Sequence, residues 1–82
     1  MYYVYILKLH DGTAYVGSTE DLKQRLRDHN QGKVTSTRRK IPARIAWYCA
    51  FTNKTDALTF ERYLKSGSGT AFRNKRITPK SS

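Results

Sequence analysis

Two charged residues stand where helices should turn toward their core. In the segment 20–30, Leu22, Arg25, Leu26 and His29 fall at i, i+3, i+4 and i+7. That is the stripe a surface helix packs inward. In the segment 56–65, Ala57, Phe60, Glu61 and Leu64 share one face in the same way. An ion on an apolar stripe is costly to bury without company. Two arrangements satisfy it. Arg25 and Glu61 pair as an internal salt bridge, or they line a polar cleft between the two helices and the first hairpin. In the cleft, Arg25 would meet a phosphate and Glu61 a metal ion.

A count of the acids bears on that choice. The chain has six Asp and Glu. Asp11 suits a turn, Glu20, Asp21 and Asp56 suit helix N-termini, and Asp28 falls on the solvent side of its helix. Glu61 alone lacks a local role. Magnesium-type cations take carboxylate oxygen and keep most of their waters, so one carboxylate plus substrate phosphate is a workable site. The chain also has six tyrosines. Tyr3, Tyr5, Leu7 and Leu9 share one face of the first apolar segment, and Tyr15 lies just before Gly17. Packing explains most strand tyrosines. A phenol beside a metal and a phosphate can also hold or move a proton of the attacking water.

Charge indicates the partner. Sixteen Lys and Arg against six acids give a net charge of +10 over 82 residues. Such a surface fits a polyanion, because each neutralised phosphate releases condensed counterions. Charge alone leaves open a basic surface with no ligand, or a ribosome-associated protein. The single cysteine, Cys49, excludes an internal disulfide and a cysteine-rich zinc site. It sits in the apolar run 45–51, which fits a small core residue better than a nucleophile. No apolar run approaches the ~20 residues that span a bilayer. Met1 leads directly into an aromatic strand without a basic leader, so the expectation is a cytoplasmic protein with no membrane contact.

The elements that must position these residues follow from pattern. Residues 2–9 read as a strand covered on both faces. Asp11-Gly12 is a hairpin signal, and residues 13–17 return as a second strand. Ser18 or Thr19 would cap a helix over 20–30, Ser18 and Asp21 forming a capping box. A polar loop, 33–42, carries Lys33, Arg38, Arg39 and Lys40. A third strand spans 43–51. Thr55 would cap a second helix over 56–65, the Gly/Ser run 66–69 breaks it, and 70–76 forms a short third helix with Arg73, Lys75 and Arg76. The prediction is an α+β fold: a three-stranded, mainly antiparallel sheet flanked by helices, in the order β-β-α-β-α-α. It makes one domain over 1–77 with a flexible tail at 78–82. A chain this short buries roughly 60% of its unfolded surface, so its site should be a shallow cleft suited to a polymer.

These residues carry a resemblance. Tyr3-Val4-Tyr5, nine residues, then Tyr15-Val16-Gly17 resembles the signature of the GIY-YIG nucleases. Tyr3 and Val4 replace the first Gly and Ile, and Val16 the second Ile. Asp21-Leu22 and Arg25, ten residues after Tyr15, continue the likeness. His29 and Glu61 stand where relatives carry His or Tyr and the metal-binding glutamate. Ser18 follows the signature where some relatives carry Lys, and Asn74 is a candidate for an Asn that many carry after the glutamate. The likeness covers nearly the whole chain and is greatest for small stand-alone bacterial members. It implies phosphodiester hydrolysis with one divalent ion, Mg2+ or Mn2+, on Glu61. It implies Arg25 on the scissile phosphate, Tyr5 and Tyr15 positioning or deprotonating water, and His29 assisting.

The expectation is therefore a metal-dependent endonuclease acting on DNA in preference to RNA, with single-stranded or branched DNA as candidate substrates. Lys33, Arg38, Arg39, Lys40, Arg73, Lys75 and Arg76 would hold the backbone on either side of the cut. Backbone contacts set register without reading sequence, which leaves room for a protein partner that directs specificity. The alternative is a basic nucleic-acid binding module without catalysis.

Overall fold

Four consecutive residues, Val4, Tyr5, Ile6 and Leu7, are almost wholly buried. This requires a strand covered on both faces, and the strand is β1 (Tyr2–Lys8). In the computed structural model it is the centre of a three-stranded antiparallel sheet of order β2-β1-β3, with β2 at Ala14–Thr19 and β3 at Arg44–Phe51. The structure describes residues 1–77, the side chains of Ser68, Arg76 and Ile77 excepted. The tail expected at 78–82 lies outside the described residues.

Alternation along β1 divides the core in two. Val4 and Ile6 face one way and pack with Val16, Ala57 and Leu64, joined by Trp47, Phe51, Phe60 and Phe72. Tyr5, Leu7 and Leu9 face the other way and pack with Ala43, Tyr15, Leu22, Leu26 and Ile45. Helix α1 (Leu22–Asn30) therefore covers one face, and α2 (Lys54–Lys65) with α3 (Thr70–Ile77) covers the other. Each fully buried Val, Leu or Ile contributes about 1.5–3 kcal/mol. A bulge adjusts β3: Ile6 faces Trp47 but Leu7 faces Ile45, so Ala46 is the extra residue.

The predicted fold class and element order are those of the structure. Three local expectations differ. Strand β2 runs two residues further than predicted, to Thr19, which places Ser18 inside the ladder opposite Val4. Ser18 is thus not a cap. Asp21 caps α1, its Oδ1 accepting from the Gln24 backbone N–H at 3.0 Å. Asn53, not Thr55, caps α2, its Oδ1 accepting from the N–H groups of Thr55 (2.7 Å) and Asp56 (3.3 Å). The hairpin signal sits where expected: Gly12 has a positive φ of 86°, and Asp11 Oδ1 accepts from the Thr13 N–H.

Candidate active site

The two stripe residues do not pair. The helices that carry them pack against opposite faces of the sheet. The ion pairs among the described residues are Lys40–Asp11 and Lys65–Glu61. What joins the two halves is the end of β2. Consecutive strand residues point to opposite faces. Gly17 therefore lies on the α1 face, opposite Tyr5 on β1, and Ser18 turns to the α2 face.

On the α1 face, Tyr5 is 1% exposed. Its hydroxyl lies 3.1 Å from His29 Nε2, and His29 Nδ1 lies 2.7 Å from Thr37 Oγ1. His29 and Thr37 are both wholly buried. The Arg25 guanidinium also meets the Tyr5 hydroxyl. Tyr15 completes the group, its ring 4.9 Å from the His29 ring in an edge-on arrangement and 6.5 Å from the Tyr5 ring. Gly17 is what lets Tyr5 lie here. A Cβ on Gly17 would meet the Tyr5 hydroxyl at 2.5 Å and its Cζ at 2.7 Å.

Burial sets the protonation states. It pushes the Tyr5 phenol up, and the neighbouring Arg25 offsets this only in part, while Tyr15 and Glu61 add to the rise. Tyr5 is thus a neutral phenol at neutral pH. Burial lowers the His29 pKa, the Arg25 charge lowers it further, and Asp28 opposes both. The ring is neutral, with one nitrogen donating and the other accepting. Hydroxyls can play either part, so Tyr5 and Thr37 satisfy it in either tautomer. The Tyr5 oxygen holds Arg25 more firmly protonated, against the effect of burial.

On the α2 face, the Glu61 side chain is 17% exposed. Ser18 Oγ donates to its Oε1 at 2.6 Å, and Lys65 Nζ donates to its Oε2 at 2.7 Å. Burial works against the ionised carboxylate. Lys65 and Ser18 together outweigh it and hold the pKa below the usual glutamate range. Glu61 remains within electrostatic reach of Tyr5.

Comparison with known proteins identifies the family. The GIY-YIG catalytic domain family matches residues 1–76. The chain belongs to the GIY-YIG family. It is similar to UPF0213 proteins, 42% identical over 65 residues to that of Lacticaseibacillus paracasei (78% of this chain, 73% of the relative). The UPF0213 protein SAG0778 of Streptococcus agalactiae is 41% identical over 64 residues, 77% of this chain and 73% of the relative. Among solved structures, the solution NMR structure of a UPF0213 protein from Bacillus halodurans matches with a TM-score of 0.58 at 33% identity. That match covers 96% of this chain and 89% of the other. A GIY-YIG domain carries an endonuclease-type function on nucleic acid.

The other residues that the GIY-YIG resemblance and the charge pattern singled out differ in their surroundings. Lys33, Arg38, Arg39 and Lys75 are exposed. Lys40 faces Asp11 at 3.4 Å, and Arg73 donates to the Leu64 carbonyl at 2.7 Å, tying α3 to the last turn of α2. Asn74 is exposed, and among the described residues no hydrogen bond joins it to Glu61. The Arg76 side chain lies outside the described residues. Two neighbours of the site were not predicted. Lys65 was legible as a Glu-to-Lys i, i+4 pair. Thr37 was not, because it sits in an aperiodic basic loop and its partner lies on another element.

Proposed function

We propose that this chain is a metal-dependent endonuclease that hydrolyses phosphodiester bonds in DNA. The observation that supports this best is the run of contacts from Arg25 through Tyr5 and His29 to Thr37, adjoining the half-buried Glu61 carboxylate across Gly17 and Ser18.

Glu61 fits a hard divalent ion, Mg2+ or Mn2+. Among the described residues no group of three or more His, Cys, Asp or Glu gathers in one place. The protein would supply one carboxylate, with water and phosphate oxygens filling the other positions. When bound, the ion supplies charge stabilisation at the phosphate. Lys65 holds one of the two carboxylate oxygens, so it competes with that ion.

The remaining chemistry falls to the α1 face. Arg25 takes the non-bridging phosphate oxygens. Its departure frees the Tyr5 oxygen for a water molecule, which Tyr15 helps to position. Tyr5 accepts the water proton as its own passes to His29 Nε2, which burial keeps unprotonated. The water oxygen bonds to phosphorus, the bond from phosphorus to the leaving sugar oxygen breaks, and that oxygen takes a proton from solvent at the open surface. Thr37 holds Nδ1 and fixes the ring. Lys33, Arg38, Arg39 and Lys75 hold the flanking backbone.

Labelled single-stranded, duplex and branched DNA, with RNA beside them, test this when incubated with Mg2+, Mn2+ or EDTA. Metal-dependent cleavage, lost in both Glu61→Ala and Arg25→Ala while far-UV circular dichroism is unchanged, is the expected result. Cleavage that persists in Glu61→Ala would overturn the assignment. Binding without turnover, equal in wild type and Glu61→Ala, would favour the non-catalytic module.

A further inference from the structure

The same sheet face carries an aromatic pair that the proposed chemistry does not use. Tyr3 lies two residues before Tyr5 on β1, and Tyr48 is the cross-strand partner of Tyr5 on β3. Both side chains therefore share the Tyr5 face. Their rings lie 6.1 Å apart and tilted by 58°. Tyr48 is 54% exposed, unusually open for a large ring. The two rings form one side of an open depression of about 360 Å³ completed by Glu20, Asp21, Leu22 and Lys23. Tyr3 stands at the first glycine of the family signature, so this ring belongs to the present chain and not to the signature.

We propose that this depression is a stacking subsite for an unpaired nucleobase next to the scissile phosphate. The proposal rests on the endonuclease reading above and adds that the strand is unpaired where it is gripped. Three features select a base over other occupants. Phenol rings stack on the π-face of any base, which a paired base in a duplex does not offer. Glu20 and Asp21 repel a phosphate, yet they are acceptors for the N–H donors on a base edge. Lys23, at the same depression, holds the backbone outside.

Spacing agrees with this placement. Tyr3 is about 7 Å from Tyr5 along the strand. Leu22, in the depression, precedes Arg25 by three residues, close to one helical turn. The base site thus adjoins the phosphate site on both elements.

The test is equilibrium binding in EDTA. The probes are a labelled single strand of about a dozen nucleotides, the same strand made abasic, and the corresponding duplex. Tyr48→Ala should weaken binding to the base-bearing strand roughly tenfold or more, leave the abasic strand and duplex unchanged, and be rescued by Tyr48→Phe. Tyr3→Ala should act in the same direction. Weakening on all three probes alike, or on none, would overturn the subsite. Wild-type cleavage with Mg2+, measured in parallel on single-stranded, branched and duplex DNA, reports on the endonuclease reading by itself. If the wild type cuts but Tyr48→Ala binds the single strand as the wild type does, only the subsite fails. If the wild type neither binds nor cuts any probe, both fail.

Discussion

At Gly17, one missing methyl group decides whether Tyr5 can reach His29. Tyr5 is buried and packed, so it cannot step aside for a new Cβ. Overpacking of this kind costs about 1–3 kcal/mol. Gly17→Ala should therefore lower the urea midpoint and abolish most cleavage, since it displaces the Tyr5 hydroxyl. Tyr5→Phe in the same chain should recover part of the stability, because the closest contact is to the hydroxyl and the next, to Cζ, remains. A double-mutant cycle reads that non-additivity. His29 gives a second prediction. Its folded pKa lies below the ordinary value near 6.5. Between the two values the unfolded chain binds a proton that the folded chain refuses, so stability rises with pH there. The urea midpoint should be lower at about pH 5 than at about pH 7.5, and His29→Gln should flatten the difference. Asp11 and Glu61 have lowered pKa values, so their contribution is lost at more acid pH, outside this window. Arg25 and Glu61 were legible in the sequence because each broke an apolar stripe. Thr37 was not, because nothing local distinguishes a buried threonine in a polar loop from an exposed one.

Helix α2 carries the competitor of its own carboxylate. Lys65 is one turn beyond Glu61 and donates to it at 2.7 Å, but its side chain is 53% exposed. Exposed i, i+4 pairs are worth about 0.3–0.5 kcal/mol, so stability depends little on this bridge. A divalent ion on Glu61 shares the carboxylate with Lys65, whose positive charge opposes a second cation there. Lys65→Met should therefore lower the Mg2+ concentration at half-maximal cleavage while the urea midpoint moves little. A metal requirement that is unchanged or higher would show that Lys65 assists and does not compete. Periodicity located α1 and α2 but misplaced their first residues. Ser18 has the composition of a cap, and local pattern cannot register that β2 continues to Thr19 or that a carboxylate on another element takes its hydroxyl. Tertiary pairing decided both points.

For the molecule as a whole, a net charge of +10 is a sum, and sums do not say which cations face a ligand. By charge pattern alone the loop 33–42 and the segment 73–76 are equivalent. The structure separates them. Lys33, Arg38 and Arg39 are exposed on the loop that also supplies Thr37 to His29. Lys40 is drawn to Asp11, and Arg73 closes the C-terminal turn of α2. Charge on the first three should therefore appear in the salt dependence of nucleic-acid binding. Removing one cation from a phosphate reduces the slope of log K against log salt by about 0.7 for a single strand and about 0.9 for a duplex. Joint replacement of Lys33, Arg38 and Arg39 by Gln should reduce the single-strand slope by about 2, with thermal stability little changed. Arg73→Ala should do the opposite. It removes a charge-assisted bond to a half-buried carbonyl, which destabilises by about 1.5–3 kcal/mol, and should leave the slope as it was. If instead Arg73→Ala flattens the slope and the triple variant does not, Arg73 holds a phosphate and the loop 33–42 does not.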